Sequence, residues 1–231
     1  MAHLLPARIV TMPKLRPETQ QARRERILDA AELCFARSGF HRCTMQDICR
    51  EAGISPGALY VYFASKEDLI AGIVDRDRAK LASELAELSK APDLLEALAR
   101  LGEHYTVEEP HYKRVLGIEI GGEATRNPAV GATFRSVDAF CRQSFEQLFA
   151  RAEQDGKIEP KDDAHTLAEV VSLIGDGLFW RRAVDPEFDV QKVMPVLVRI
   201  VSTLLNPIEP ATTAPPMSEP VAQKSETEAS S

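Results

Sequence analysis

Between Gly57 and Lys66 the chain gathers groups suited to gripping a polyanion. Tyr60 and Tyr62 offer hydroxyls and Lys66 an ammonium, the donors that phosphate oxygens accept when a protein is held on a duplex. Gly57 and Ala58, just before them, carry almost no side chain, so backbone can come close to base edges. Residue types for other chemistry lack the spacing for it. No nucleophile elbow, no phosphate-cradling glycine loop after a strand and no metal triad occurs, so no catalytic residue, no metal site and no cofactor is expected. Cys34, Cys43, Cys49 and Cys141 form no C-x-x-C pair and do not cluster with histidine. Cys34 reads as a buried apolar residue, while a redox role for Cys43 and Cys49 stays open. His104 and His111, with Glu103, Glu108 and Glu109, are interrupted by Pro110 and read as a solvated loop.

The elements that must position these donors are legible from their punctuation. Thr44 three residues before Asp47 is a capping-box start for a helix turning Met45, Ile48 and Cys49 inward. Gly53 supplies a tight turn. Ser55 caps a second short helix with Pro56 at its first position, where a missing N–H costs nothing. Two short helices joined by such a turn form a helix-turn-helix, with Ile48, Ala52, Ile54 and Leu59 as its seam. The first helix braces the second, whose N-terminal residues enter the major groove.

The rest of the pattern is helical, and an all-α fold without a sheet is expected. A helix over about 20–38 turns Ile27, Ala30, Ala31, Cys34 and Phe35 inward and Arg23, Arg24, Arg26 and Glu32 outward, ending at Gly39. Ser65 starts a helix to about Leu88, Pro92 one to about Thr106, and His111 one to Arg126. Asn127 and Pro128 open a long helix to about Gln154. Asp162 or Asp163 begins one to Val184, and a last reaches Leu205, where Pro195 must start or kink it. The spacing predicts an N-terminal arm over 1–17, a three-helix head with the helix-turn-helix over 18–66, a larger helical domain over 67–205, and a disordered tail over 206–231. Residues 1–11 are expected to be either a disordered extension ahead of Met12 or the result of an upstream start-codon choice, and Arg8, Lys14 and Arg16 would serve a minor-groove arm if there is one.

Length permits one large domain or a small one fused to a larger one, and no apolar run is long enough for a membrane span. With no secretory signal, the chain is expected in the cytoplasm. The net charge of −7 hides an asymmetry: residues 1–66 carry +4, leaving −11 for the remainder. A basic module on an acidic body suits a protein that meets phosphate at one end only.

Taken in order, Ile27 to Ala31, Phe35, Gly39 and Phe40, Thr44 to Ile48, Ala52 to Phe63 and Ser65 to Leu69 resemble the TetR/AcrR family of bacterial regulators. The likeness covers about 45 residues without a gap; Ala58 departs from it, since many members carry threonine there, which affects the operator sequence. The resemblance implies phosphate contacts from Thr44, Tyr60, Tyr62 and Lys66, and base-edge contacts from Gln46, Ser55, Pro56, Gly57 and Ala58. Gln46 could pair with adenine, and Ala58 could touch a thymine methyl. Thr44 and Ser55 can equally be caps alone, Tyr60 partly core, and Lys66 a solvated charge. The family likeness further implies repression, with release by a small molecule.

Such modules read paired half-sites, so a homodimer on pseudo-palindromic double-stranded operator DNA is expected. Leu167, Val170, Val171, Ile174 and Leu178 form one apolar stripe, and Val193, Val196, Leu197, Ile200, Val201 and Leu204 another, which together could build a four-helix interface or pack within one chain. A small apolar or aromatic effector would bind among His104, Tyr105, Tyr112, Phe134, Asp176, Phe179 and Trp180. Gly117, Gly121, Gly122, Gly175 and Gly177 suggest space for a ligand or close helix crossing. The helix from Ser65 to Leu88 is the natural lever between head and sensor. An activator, a redox sensor on the same fold, or a helical binding module that does not touch DNA are the alternatives, and salt-dependent DNA binding separates the last from the rest.

Overall fold

The computed structural model describes residues 17–208. Among these residues the fold is all-α, as expected, with one isolated bridge between Ile158 and Pro207 in place of any strand. The helices are α1 (Pro17–Ser38), α2 (Met45–Ala52), α3 (Pro56–Tyr60), α4 (Lys66–Leu88), α5 (Leu94–Glu103), α6 (His111–Ala124), α7 (Pro128–Gln154), α8 (Ala164–Val184) and α9 (Val190–Leu205), with a π turn (His104–Glu108) after α5.

Local chemistry starts and stops the small helices. Thr44 and Asp47 form a reciprocal capping box on α2, and Gly53, at φ 64°, closes that helix in the left-handed region. Ser55 and Ser65 accept the backbone N–H of Ala58 and Asp68, which fixes the entries to α3 and α4.

Two apolar cores hold the chain. The first joins Ile27, Leu28, Ala31 and Phe35 of α1 to Ile48 and Ala52 of α2, Leu59 of α3 and Leu69, Ile70 and Ile73 of α4. It also takes in Leu116 and Ile120 of α6 and Val130 of α7, so the N-terminal helices are not packed on themselves alone. The second core, at the far end, gathers Leu88, Leu148, Phe149, Leu167, Ala168 and Leu205. Each such side chain contributes roughly 1.5–3 kcal/mol when fully buried.

Several expectations need correction. Glu32 does not face solvent: it is 1% exposed. Its Oε1 accepts from Arg76 of α4 and Lys113 of α6, partners that make burial tolerable. The stretch after Glu103 is not a loop, because α5 passes directly into the π turn. Of the two alternatives for Pro195, starting the last helix is the one excluded, since α9 begins five residues earlier at Val190. The start of the predicted tail is ordered: Ile208 donates to the Lys157 carbonyl at 2.9 Å, and Glu159 donates to that of Asn206 at 3.0 Å. The remaining tail, and the arm with Arg8, Lys14 and Arg16, lie outside the described residues.

Candidate nucleic-acid interface

The capped segment leaves most of its predicted DNA contacts exposed. Thr44, Gln46, Ser55, Pro56 and Gly57 are exposed and Ala58 is half-buried. Tyr60 is 54% exposed and free of the core, whereas Tyr62 is half-buried and leans against it. Thr44 donates its hydroxyl to Asp47 Oδ2 at 2.6 Å and accepts from the Asp47 N–H at 3.2 Å. The Thr44 hydroxyl, and then the Thr44 backbone N–H that donates to the same Oδ2 at 3.0 Å, hold the Asp47 carboxyl below the usual carboxylate range. Phosphate contact by the Thr44 hydroxyl therefore requires it to turn from Asp47. Arg42 and Arg50 are exposed beside this surface.

Lys66 is partly committed elsewhere. Its ammonium donates to the Phe40 carbonyl and stands 4.2 Å from the centre of the Phe40 ring. Val61 was not foreseen; at 80% exposure it presents an apolar surface between the two tyrosines. The signal for it was its place in sequence, since the next helix starts only after Ser65.

The segment between α1 and α2 is held from below by α6. Glu119 Oε1 accepts the Phe40 N–H at 2.7 Å, and Glu123, 3% exposed, lies 2.9 Å from His41 Nε2. With Lys113 on Glu32, three residues of α6 thus reach the DNA-reading end. Sequence reading chose α4 as the lever. Arg76 of α4 does bond Glu32, but α6 carries direct links as well.

The residues expected to hold an effector do not converge on one pocket. His104 lies 2.8 Å from Glu108 and 3.1 Å from Lys80, and Tyr105 donates to Glu84 at 2.6 Å. Desolvation, then that hydrogen bond, pushes the Tyr105 phenol far above its ordinary range. Tyr112 sits half-buried near the Glu32 charge. Phe179 packs so closely on Gly117 that a Cβ there would stand 2.8 Å from its ring, and Phe134 lies beside Gly121. These contacts make close crossing the role of Gly117; around Gly122, Gly175 and Gly177 the space is open. Desolvation and the Asp138 charge raise the Asp176 carboxyl. Trp180 points outward at 57% exposure. A separate cleft of about 430 Å³ opens between the π turn and α9, lined by Glu103, Val107, Val190, Gln191, Met194, Pro195 and Val198.

The expected dimer stripes are out of phase with the packing. Leu167 is 1% exposed within the second core, and Val171, Val201 and Leu204 pack against that core. Val170, Ile174, Leu178, Val193 and Leu197 are half-buried, leaving Val196 and Ile200 as the exposed members, each at 44%. The outward apolar face instead comprises Leu173, Trp180 and Val184 on α8 with Val196 and Ile200 on α9.

The cysteines are poorly suited to redox sensing. Cys34, Cys43 and Cys49 are buried, and desolvation raises all three thiols, Cys43 to about 12. The reactive form is the thiolate. We expect native protein to titrate at most one thiol rapidly with Ellman's reagent, Cys141, itself pushed up to about 11, and all four after unfolding. Rapid modification of Cys43 would contradict this.

A capped helix pair with a polar outer face, borne on a larger helical body, defines a helix-turn-helix transcriptional regulator. The chain belongs to the TetR family. Residues 27–73 match the model of bacterial regulatory proteins of that family, and residues 108–206 match the C-terminal part of BetI-type transcriptional repressors. It is similar to the HTH-type transcriptional regulator UidR of Escherichia coli K12, 33% identical over 149 residues, covering 64% of this chain and 75% of UidR. The HTH-type transcriptional repressor Rv1474c of Mycobacterium tuberculosis is 30% identical over 181 residues, covering 74% and 88% respectively. Salmonella enterica GusR shares the fold with a TM-score of 0.71 at 30% identity, over 80% of this chain and 95% of that one. Members of this family bind operator DNA and small-molecule effectors. No helix among the described residues is long and apolar enough to cross a membrane.

Proposed function

We propose that two copies of this chain repress transcription from a pseudo-palindromic operator and release it when a small molecule occupies the helical body. Residues 18–66 form the reading head and 67–205 the sensing and dimerising domain, with no catalytic residue. The observation that carries this reading is the exposed surface formed by Gln46, Gly57, Val61 and Tyr60 around the capped α2–α3 pair. Gln46 and the small residues at 56–58 read base edges, and the Tyr60 hydroxyl grips phosphate. Val61 packs against sugar or a thymine methyl, and Thr44, Tyr62 and Lys66 complete the backbone contacts.

Dimerisation is supported by the apolar face of α8 and α9, because an exposed tryptophan ringed by valine, leucine and isoleucine is the composition of an interface centre. The effector binds within the helical body, with its apolar part near Phe134 and Phe179. By linkage, it must bind the operator-incompetent form better than the competent one. The controlled operon serves efflux or catabolism of that effector.

Fluorescence anisotropy with DNA from upstream of the chain's own gene tests the reading. Binding should weaken steeply with salt, and Tyr60→Ala should cost at least about tenfold, since each dimer loses two phosphate contacts. Equal affinity of Tyr60→Ala and the parent, or no specific site in a random-sequence selection, would overturn it.

A further inference from the structure

Two arginines inside the helical body lack the partners that burial demands. Arg114 of α6 is 3% exposed, and its Nε, fully removed from solvent, has no hydrogen-bond partner. Its Nη1 donates to the Glu109 carbonyl at 2.6 Å. Arg182 of α8 is half-buried, with its Nη1 removed from solvent and without a hydrogen-bond partner. The two are close enough that burial first, and then the charge of Arg182, lowers the Arg114 pKa. Glu109 opposes this to a smaller extent, and its carboxylate also lies 3.2 Å from Lys80.

Arg182 does not share the outward apolar face of α8. On α8 the outward residues Leu173, Gly177, Trp180 and Val184 follow i, i+4, i+7, i+11, and Arg182 lies on the opposite side. There it continues the inward series of Val171 and Leu178. One turn back, Phe179 packs on Gly117, itself one turn beyond Arg114, so apolar surface adjoins the guanidinium pair.

Uncompensated buried charge is costly, and a planar guanidinium binds carboxylate through two parallel hydrogen bonds. We propose that Arg114 and Arg182 form the subsite that receives the carboxylate of an organic acid, with Phe179 beside them taking its apolar body. This rests on the effector reading above and names the effector's class. An acid seated there acts on α6, which bears the Lys113, Glu119 and Glu123 links to the DNA-reading end.

The test is a thermal-shift series at fixed ionic strength with benzoate, cyclohexanecarboxylate and decanoate, each paired with its neutral amide. It is followed by operator binding with the same compounds. At least one acid should raise the melting temperature where its amide does not. Arg182→Met should melt at or above the parent, because like charges are separated, and lose affinity for that acid at least about tenfold. Arg182→Lys should keep part of it. A parent indifferent to all three acids, amides that match them, or an Arg182→Met that melts well below the parent would overturn the subsite. An acid that binds through Arg182 without weakening operator affinity upholds the subsite and defeats release by effector. Release by a neutral amide unaffected in Arg182→Met does the reverse.

Discussion

Glu32→Ala should lower the melting temperature by about 6–12 °C in thermal denaturation. Glu32 is 1% exposed and accepts from both Arg76 and Lys113, so truncation strands two cations at the junction of α1, α4 and α6. Breaking a buried ion pair by removing one partner costs about 3–5 kcal/mol. For a chain of this size each kcal/mol moves the midpoint by roughly 2–4 °C. The lower end of the cost applies, because Arg76 keeps Glu25 at 3.1 Å and Asp29 at 2.7 Å, and Lys113 keeps Asp77 at 3.4 Å. Glu32→Gln, which retains the shape, should recover only a minor part. A midpoint shift below about 2 °C for Glu32→Ala would mean that the peripheral carboxylates carry the junction.

The second large effect concerns assembly. On the proposed α8–α9 interface, Trp180→Arg should give a monomer by light scattering and reduce operator affinity by at least about a hundredfold. Trp180 stands 57% exposed on α8, which also exposes Leu173 and Val184, while α9 exposes Val196 and Ile200. Central aromatic residues dominate interface energetics at about 2–4 kcal/mol each, and two-fold symmetry places every substitution in the interface twice. A monomer must then find each half-site separately and loses the avidity of linked heads. A Trp180→Arg protein that remains dimeric would move the interface away from α8.

What was legible in the chain follows from the range of each interaction. Caps are local: Thr44 with Asp47 and Ser65 with Asp68 are three residues apart, so the helix-turn-helix and the start of α4 could be read directly. Glu32 could not, because its partners lie 44 and 81 residues away; in sequence it is simply a charge on a helix rich in charges. The exposed apolar face only partly matches the expected stripes: Val196 and Ile200 belong to both, while Leu173, Trp180 and Val184 were not in them. The inward and outward sides of α8 are both apolar, and composition alone cannot say which of Leu167 or Leu173 is covered by the same chain. Aromatic type misled for a related reason: Trp180 and Phe179 are neighbours in sequence, yet one points out and the other packs on Gly117. Arg182 did leave a trace, a charge continuing an apolar stripe, but only its unpartnered burial gives that trace meaning.

The sharing of the first core with Leu116, Ile120 and Val130 bears on how such regulators can be recombined. The backbone of Phe40 is held at its carbonyl by Lys66 and at its N–H by Glu119. A chimera cut after Lys66 would therefore carry half of a joint and expose apolar surface that its new body was not shaped to cover. Exchanging DNA specificity by transplanting the reading helices alone should give insoluble or unresponsive hybrids. A graft that brings α6 and the first turn of α7 with the head, or one confined to the exposed positions of α2 and α3, keeps the joint whole.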